Sequence, residues 1–502
     1  MGIRSLLSKP LAQWVINDQN DWSLNPIKYQ KVILKNLIRI GKNTQFGKDH
    51  QLQDVQDHSD FVAAVPINDY EGLKPYIDQI LQGKKDVLWK GTPAYLAKTS
   101  GTTSGIKYIP ITRDSIPNHI NSARNALLSY VHQTGKNHFL DKKLIFLSGS
   151  PTLTTTAGIP TGRLSGIVNH LIPTYLRANQ MPSYETNCIE DWETKVDQIV
   201  SETQRQDMSL ISGIPPWVQM YFDKLVSKTG KSIKDLFPNF SLFVYGGVNF
   251  DPYRNKLFET IGKRIDSIET YPASEGFIAY QDRQDAEGLL LLSNSGIFFE
   301  FIEVTEFFME HPTRITLEEV EIGVNYALIL NSNAGLWGYS IGDTIKFVST
   351  YPHRILVTGR IKHFISAFGE HVIGEEVEKA MKNACHKFPE IELTEFTVAP
   401  NVAPLSGLPR HEWYIEFANA PNDMSAFKKE LNSQMQLLNA YYDDLITGAI
   451  LGELHIYSIR NQGFIEYMKS IGKLGGQNKV PRLSNDRKIA EPLTHYLQHE
   501  PI

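Results

Sequence analysis

From about residue 95 onward, short runs of β-branched and aromatic residues alternate along the chain with segments of helical periodicity. The strand-like runs cover residues 144–147, 242–245, 265–270, 297–304 and 326–330, and the helical segments cover residues 118–131, 192–203 and 217–226. Since crossover helices cover both faces of a parallel sheet, this alternation predicts an α/β domain with a largely buried sheet. The first 90 residues are predicted to be mostly helical, with a clear helical pattern over residues 29–40 after Asn25-Pro26.

A second and smaller domain is predicted towards the end of the chain. Strand-like runs at residues 394–398, 412–417 and 454–458 surround helical segments near residues 375–382 and 424–445. This mixture is typical of an α+β domain. We therefore divide the chain into an N-terminal domain over residues 1–358 and a C-terminal domain over residues 359–502.

Composition excludes several classes of protein. The 502 residues include 50 Lys and Arg against 55 Asp and Glu, so the net charge of −5 supplies no field that would attract nucleic acid. Two cysteines, Cys188 and Cys385, are too few for a disulfide framework or a thiolate zinc site. No apolar run approaches the roughly 20 residues of a membrane span. We expect a cytoplasmic protein without a membrane or nucleic-acid partner, and a monomer by default.

One segment is rich in small and hydroxyl-bearing residues. It reads Ser100-Gly101-Thr102-Thr103-Ser104-Gly105-Ile106-Lys107, and a strand-like run follows at residues 108–111. The glycines permit tight turns that point backbone N–H groups at an anion, the hydroxyls add donors, and the lysine adds charge. The segment predicts a cradle for polyphosphate, with a simple hairpin turn as the alternative. It differs from the standard P-loop because its glycines are one residue too close and no helix follows.

Further segments place glycines, a ring and carboxylates after strand-like runs. Gly246 and Gly247 end one run, where they either let a flat ligand approach the backbone or form a turn. Residues 269–276 follow the next run and are expected to form a loop that carries Tyr271, Ser274 and Glu275. A core position is the alternative for Tyr271.

Two more segments are charged. Residues 337–343 end in Asp343, whose carboxylate could accept hydrogen bonds from ribose hydroxyls, although an aspartate after a glycine also fits a plain turn. Residues 359–378 contain several charged residues in a loop that is followed by a helix, and a solvated linker without a functional role is the alternative interpretation.

In this order the segments resemble the adenylate-forming superfamily of acyl-CoA synthetases, adenylation domains and luciferases, and more narrowly its auxin-responsive promoter branch of acyl-acid amido synthetases. The phosphate segment and residues 271–275 and 339–343 are similar to that branch's three nucleotide motifs, and residues 359–378 are similar to the superfamily's hinge. The resemblance covers residues 95–490. It implies a large N-terminal α/β domain with buried sheets, which binds ATP and the acyl substrate, and a mobile C-terminal α+β cap.

The resemblance also implies a role for each matched residue. Ser100, Thr102, Thr103 and Lys107 would hold the β- and γ-phosphates, and Gly101, Ser104 and Gly105 of the same segment would also bind the nucleotide. Tyr271 would stack on adenine beside the edge formed by Gly246 and Gly247. Ser274 would meet the α-phosphate, and Glu275 would ligate Mg²⁺, a hard cation that prefers oxygen ligands. Asp343 and Arg360 would hold the ribose.

Residues 475–482 are similar to the family segment that brings a lysine onto the forming adenylate. The resemblance implies that Lys479 stabilises negative charge as the carboxylate attacks the α-phosphorus. A solvated loop lysine is the alternative. His363 stands where the hinge of the superfamily often carries Asp or Lys.

The expected activity is that of a ligase. It would use ATP and Mg²⁺ to activate a small carboxylic acid as an acyl-adenylate and pass the acyl group to an amino-acid amine, with Lys479, Lys107 and Glu275 as catalytic residues. The alternatives are the same adenylation followed by transfer to coenzyme A or a carrier protein, and a nucleotide-binding regulator without catalysis. The acyl pocket is expected among residues 118–130, 157–172 and 211–221, where Arg163 could pair with a substrate carboxylate.

Overall fold

The computed structural model describes residues 2–100, 106–172, 177–247, 250–361, 364–365, 372–402, 404, 406–447, 451–474, 479–484 and 486–498, which are called the described residues below. The chain divides into two compact units. Unit 1 comprises Met1–Val248 and Thr260–Val357, and unit 2 comprises Asn249–Glu259 and Thr358–Ile502. The boundary drawn from the sequence, after residue 358, lies one residue from this division. The segment 249–259 was assigned to the N-terminal domain but clusters with unit 2.

Unit 1 begins with helices α1 (Ile3–Leu24), α2 (Pro26–Gly41), α3 (Gln45–Asp49), α4 (His58–Ala64) and α5 (Tyr70–Leu81). Helix α2 starts at Pro26, where a missing N–H costs no hydrogen bond because the first N–H groups of a helix have no partner within it. The side chains of Thr44, Asp57 and Asp69 accept backbone N–H groups at the starts of the next three helices. The helices are therefore defined by local caps as well as by packing.

The strands that follow in unit 1 are β1 (Tyr95–Ser100), β2 (Ile106–Ile111), β3 (Lys143–Phe146), β4 (Thr154–Thr156), β5 (Ile159–Gly162), β6 (Gln180–Met181), β7 (Met208–Ser212), β8 (Leu242–Gly246), β9 (Asp266–Ala273), β10 (Gly276–Tyr280), β11 (Leu289–Leu291), β12 (Ile297–Glu303), β13 (Asn325–Ser332), β14 (Tyr339–Thr350) and β15 (His353–Arg360). The helices between them are α6 (Ile116–Thr134), α7 (Leu164–Leu171), α8 (Tyr184–Asn187), α9 (Trp192–Thr203), α10 (Pro215–Thr229) and α11 (Ile233–Leu236). Helix α12 (Asp251–Ile261) follows β8 in the sequence but belongs mostly to unit 2. This alternation confirms the predicted α/β class.

The larger sheet runs in the order β12-β13-β14-β15-β11-β10-β9-β8-β7-β3-β6. Strands β6, β3, β7, β8 and β9 are parallel neighbours, whereas β10 and β11 continue the sheet in antiparallel pairs. The carboxyl ends of the parallel strands therefore meet at one edge. In open α/β sheets this is the edge at which ligands bind.

The smaller sheet of unit 1 has the order β2-β1-β5-β4. Strands β1 and β2 form an antiparallel hairpin, and β5 pairs with the other side of β1 in parallel. Buried residues of β1 and β2, among them Leu96 and Ile109, pack with apolar residues of the N-terminal helices and with Trp337. The hairpin is thus supported by an apolar core of its own.

Unit 2 contains β16 (Phe364–Ile365), β17 (Val372–Ile373), α13 (Gly374–Lys387), β18 (Glu392–Asn401), β19 (Arg410–Asn419), α14 (Met424–Leu438), α15 (Ala440–Thr447), β20 (Gly452–Ile459), α16 (Gly463–Ser470) and α17 (Ala490–Leu493). Strands β18, β19 and β20 form one sheet. Helices α13, α14 and α15 pack on one face, and residues of α16 and α17 pack with Tyr414 on the other. The predicted α+β class is confirmed for this part of the chain.

The single helix predicted over residues 424–445 is wrong in its length, because Asn439 interrupts it. The backbone of Asn439 is extended, and its side-chain Oδ1 accepts the N–H of Tyr442 at 2.8 Å, so that it caps a second helix. Cys188 and Cys385 carry free thiols. Within the described part of the chain, every helix is too short or too polar to cross a bilayer.

Candidate active site

The site begins where the neighbouring parallel strands β8 and β9 end. Their register pairs Gly246 with Thr270, so the last residue of β8 lies beside a residue near the end of β9. Strand β9 continues to Ala273, and β10 starts at Gly276 in the reverse direction. The structure thereby brings Gly246, Gly247, Ser274 and Glu275 to one edge of the sheet.

Both glycines have a physical reason that requires no ligand. A Cβ at residue 246 would lie 2.4 Å from the carbonyl oxygen of Thr270, so no larger residue fits against the neighbouring strand. Gly247 adopts a positive φ of 81°, a conformation that favours glycine. The strand-end interpretation therefore accounts for this pair, and its contact with adenine remains a prediction.

The expected loop over residues 269–276 is mostly a strand. Residues up to Ala273 belong to β9, and only Ser274 and Glu275 form the turn of a tight hairpin. The antiparallel partner β10 is the reason, because its ladder keeps Tyr271 extended where sequence alone indicated a loop. The hydroxyl and the carboxylate consequently project from a rigid two-residue turn, and both side chains are partly exposed.

Tyr271 and Asp343 form a direct pair. The phenol of Tyr271 donates a hydrogen bond of 2.5 Å to Asp343 Oδ2, and the two residues are 8% and 9% exposed. The ring of Tyr271 packs in an apolar cluster with Ile278 and Leu289. The core position anticipated as an alternative is thus observed for the ring, while its stacking on adenine remains a prediction.

Asp343 does not lie in a plain turn, which is the alternative that the sequence predicts for it. It lies inside β14, where Ile341, Gly342 and Asp343 together face the single residue Leu328 of β13. Gly342 has a φ of 82° within this bulge. Because an extra residue changes the direction of the side chains that follow it, the bulge explains how a strand residue is directed to Tyr271.

The phosphate segment joins the two strands of a hairpin. Ser100 is the last residue of β1 and pairs with Ile106, the first residue of β2. The predicted phosphate ligands Gly101, Thr102, Thr103, Ser104 and Gly105 lie outside the described residues. The expectation that a strand follows this segment is confirmed by β2.

Lys107 lies on β2, one residue beyond the start of that strand. Its Nζ is 5.4 Å from the ring centroid of Tyr70, a distance typical of a cation–π contact. The hydroxyl of Tyr70 accepts the backbone N–H of Tyr108 at 3.0 Å. Tyr70 therefore supports both the lysine and the strand that carries it. Sequence reasoning missed this residue, for which the only signal was the helix start at Asp69.

Arg360 and Lys479 belong to unit 2. Arg360 ends β15, and Lys479 precedes a segment that runs along β18. In that segment the N–H of Val398 donates to the carbonyl of Arg482 at 2.9 Å, and the N–H of Ser484 donates to the carbonyl of Val398 at 3.0 Å. Of the remaining predicted positions in this unit, His363 lies outside the described residues.

Two of the three segments proposed for the acyl pocket, residues 157–172 and 211–221, lie near the ends of β3 and β7. A Cβ at Gly149, just after β3, would lie 2.9 Å from Arg163 Cδ and 3.4 Å from Ser165 Oγ. A Cβ at Gly213, just after β7, would lie 3.1 Å from the side chain of Leu147. Among the described residues, Ser165 Oγ and Trp217 Nε1 are buried polar atoms without a hydrogen-bond partner. Unpaired buried donors of this kind call for an explanation, and a polar ligand is one.

Glu275 is the residue predicted to ligate a metal ion. No group of three or more His, Cys, Asp or Glu side chains that could hold a metal ion occurs within the described residues. Mg²⁺ commonly binds through one or two carboxylates together with substrate phosphates and water. A single carboxylate on a rigid turn, as Glu275 provides, fits that kind of site.

Comparisons with known sequences place the chain in a family. Models of the GH3 family match residues 15–214 (N-terminal domain), 290–360 (central domain) and 375–488 (C-terminal domain). An indole-3-acetic acid-amido synthetase of Arabidopsis thaliana is 22% identical over 91% of this chain and 89% of its own length. A jasmonoyl-L-amino acid synthetase of Nicotiana attenuata is 23% identical over 64% of this chain and 66% of its own length.

Solved structures give the same fold. The acyl acid amido synthetase GH3.15 superposes with a TM-score of 0.79 at 17% identity and covers 96% of each chain. A 2-hydroxyisobutyryl-CoA ligase in its postadenylation state superposes with a TM-score of 0.59 at 12% identity and covers 93% of this chain and 92% of its own. With its relatives named as amido synthetases and its fold shared with an adenylate-forming ligase, the chain belongs to the GH3 family of acyl-acid amido synthetases.

Proposed function

We propose that this protein activates a small carboxylic acid with ATP and Mg²⁺ as an acyl-adenylate and then transfers the acyl group to the amine of an amino acid. The observation that carries the proposal is the edge at which β8 and β9 end. The hairpin of Ser274 and Glu275 and the hydrogen bond between Tyr271 and Asp343 both arise from β9 and its neighbours at this edge.

The chemistry explains why such an edge is needed. A carboxylate is a poor acyl donor because an oxide is a bad leaving group. Attack of a carboxylate oxygen on the α-phosphorus of ATP forms one O–P bond and breaks the bond to pyrophosphate, so that AMP becomes the later leaving group. The enzyme must hold the phosphates in line and stabilise the charge that develops on them.

We assign the residues of unit 1 accordingly. Lys107, on the strand after the phosphate segment, would neutralise departing pyrophosphate, and Tyr70 would hold that lysine in place. Ser274 would donate to the α-phosphate. The Asp343 carboxylate, oriented by Tyr271, would accept hydrogen bonds from the ribose hydroxyls. Glu275 would be the protein ligand of Mg²⁺, which when bound supplies charge stabilisation to the phosphate oxygens.

Two assignments concern unit 2. Arg360 would contribute to ribose binding, and Lys479 would stabilise the α-phosphoryl oxygens as the adenylate forms. Support for Lys479 comes from its position directly before a segment that is hydrogen-bonded to β18, since a catalytic side chain must be held in a defined place.

The acid would bind near the carboxyl ends of β3 and β7. Ser165 Oγ and Trp217 Nε1 would hydrogen-bond polar atoms of the acid, while the neighbouring buried side chains of Ile167 and Val218 supply apolar contact. Arg163 lies beside Gly149 at this edge and is suited to an anionic group of the acid.

The first experiment measures ATP–pyrophosphate exchange that depends on added carboxylate, across aryl, indole and fatty acids. Exchange with any acid supports adenylation. Amino acids and coenzyme A are then added separately, and the acceptor that releases AMP distinguishes the amido synthetase from a thioester ligase. ATP binding without exchange for every acid would contradict the proposal and favour a nucleotide-binding regulator.

The same assay tests Lys479. Lys479→Ala should lower the exchange rate at least tenfold with little change in ATP binding, because a charge used in the transition state is lost. Lys473→Ala, an exposed lysine of the same unit, is the matched control and should leave the rate within twofold. Equal rates in wild type and Lys479→Ala would remove Lys479 from the mechanism.

A further inference from the structure

Three residues beyond Lys479, the side chain of Arg482 connects separate elements of unit 2. Its Nε donates to Glu378 on α13 at 3.1 Å, and its Nη1 donates to the Glu395 carboxylate and, at 3.0 Å, to the carbonyl of Phe396 on β18. Its Nη2 donates to the hydroxyl of Tyr253 on α12. The guanidinium therefore has partners on every side.

This cluster is largely removed from water. The side chain of Arg482 is 12% exposed, those of Glu378 and Glu395 are 17% and 16% exposed, and Tyr253 is 8% exposed. The guanidinium carbon also lies 4.6 Å from the ring centroid of Phe396. Burying ions costs free energy that the ion pairs barely offset, so such a cluster fixes geometry more effectively than it adds stability.

The backbone around Arg482 is fixed in the same way. Val480 packs on the apolar cluster of Tyr414 and Phe464, and the carbonyl of Pro481 accepts the hydroxyl of Thr397 at 2.7 Å. Leu483 is buried and bridges Val398. Each residue from 480 to 484 thus has a defined partner, and Lys479 is attached directly to the start of this fixed segment.

We propose that Arg482 is the positioning residue for Lys479, holding the segment 479–484 so that the lysine ammonium is presented in one place during adenylate formation. The inference rests on the proposed function, because it concerns the same half-reaction. Arg482 acts here through the backbone and makes no contact with the substrate.

A purely structural anchor is the competing explanation, and the chain offers a matched control for it. Arg487 holds the same C-terminal segment against β19, by donating to Glu412 at 2.9 Å and to the hydroxyl of Tyr414 at 3.1 Å, and against β18, by donating to the carbonyl of Pro400 at 3.0 Å. It is eight residues beyond Lys479. Loss of either arginine breaks a buried ion pair, but only Arg482 is close enough along the chain to fix the lysine.

The test compares Arg482→Met, Arg482→Lys and Arg487→Met in the full-length enzyme. Arg482→Met should lower kcat for pyrophosphate exchange at least tenfold, with the KM for ATP within twofold of wild type, and Arg482→Lys should recover part of the rate. Arg487→Met should retain exchange within threefold. Acyl transfer from a supplied acyl-adenylate to the amine should stay within twofold in Arg482→Met, since no pyrophosphate departs in that step.

Coupling to Lys479 is the decisive measurement. The double variant Lys479→Ala/Arg482→Met should exchange pyrophosphate no more than twofold slower than Lys479→Ala alone, because positioning has no effect once the lysine is absent. If the reductions in exchange rate of the two single variants multiply in the double variant, Arg482 is a structural anchor only. The same conclusion follows if Arg487→Met lowers the exchange rate as much as Arg482→Met does.

The remaining outcomes are also distinguishable. Should Arg482→Met fail to fold, Glu378→Gln removes the charge of one ion-pair partner of the guanidinium and should lower exchange in the same direction, again without an added loss in the Lys479→Ala background. Normal exchange in Glu378→Gln and in Arg482→Lys would overturn the inference while leaving the proposed function intact. A wild-type enzyme without exchange for any acid would overturn both.

Discussion

At the scale of single residues, the structure explains the presence of some predicted site residues by packing alone, while others have a polar group that is suited to a substrate. Gly246 is required by the carbonyl of Thr270 on the neighbouring strand, so its presence is not evidence for a nucleotide. Tyr271 is different, because its ring is in the core while its hydroxyl donates a hydrogen bond to Asp343. The sequence suggested separate roles for Tyr271 and Asp343, whereas the structure joins them by a hydrogen bond.

Tyr271→Phe tests the role of the hydrogen bond between Tyr271 and Asp343. The variant keeps the ring but removes one hydrogen-bond donor to a buried carboxylate, and the loss of this hydrogen bond should cost about 1–3 kcal/mol of unfolding free energy. We also expect the KM for ATP to rise several-fold, since Asp343 is no longer oriented towards the ribose. Urea denaturation and exchange kinetics measure the two effects.

Tyr326→Phe is the control for this prediction. Tyr326 lies in the same apolar cluster, and its hydroxyl accepts the N–H of Glu321 at 3.0 Å. This variant should be destabilised without a change in the KM for ATP. An unchanged KM in Tyr271→Phe would show that the hydrogen bond to Asp343 has no part in nucleotide binding.

At the scale of elements, periodicity in the sequence located several of the strands and helices but not their irregularities. The alternating runs indicated β8, β9, β12 and β13 correctly, because buried strands need apolar β-branched residues whatever their partners. The extension of β9 through Tyr271 and the bulge at Gly342 were not predicted. Both depend on the register with a neighbouring strand, which no local pattern encodes.

The bulge in β14 can be tested through Gly342. Its φ of 82° is unfavourable for any residue with a Cβ, although a Cβ there would meet nothing within 4 Å. Gly342→Ala should therefore cost about 1–2 kcal/mol, whether the strain stays in the backbone or is relieved by a shift of the bulge. We expect the shift to occur and to displace Asp343, which raises the KM for ATP.

Gly323→Ala provides the comparison, because Gly323 has a φ of 87° and equally open surroundings. It should lose similar stability in thermal unfolding while its KM for ATP stays at the wild-type value. If both variants bind ATP normally, the bulge does not set the position of the Asp343 carboxylate.

At the scale of the whole molecule, the sequence predicted two domains and a boundary within one residue of the division observed. It could not predict that Asn249–Glu259 clusters with unit 2, because this grouping depends on contacts such as that between Tyr253 and Arg482, more than 200 residues apart. The candidate site was likewise predicted as separate motifs. That Gly246, Gly247, Ser274 and Glu275 lie at one edge follows from the order of β8, β9 and β10 in the larger sheet, which depends on long-range packing.

Two buried histidines of unit 1 and one half-buried histidine of unit 2 predict how stability responds to acid. Burial lowers the pKa of His119 and of His353 in unit 1 to about 4, and burial with Arg410 nearby lowers the pKa of His455 in unit 2 to about 4. An unfolded histidine has a pKa near 6.5. Between these values the unfolded state binds more protons, so the free energy of unfolding falls as pH drops from about 6.5 towards 4.

His119→Gln isolates one of these contributions. For His119, which is 4% exposed, a shift from 6.5 to about 4 corresponds to a loss on the order of 3 kcal/mol over that interval. The variant should therefore show a shallower decline in unfolding free energy from pH 7 to pH 5 by urea denaturation, whatever its stability at pH 7. His132→Gln, on the exposed side of the same helix, should keep the wild-type slope, and equal slopes in all three proteins would mean that His119 does not remain neutral in the fold.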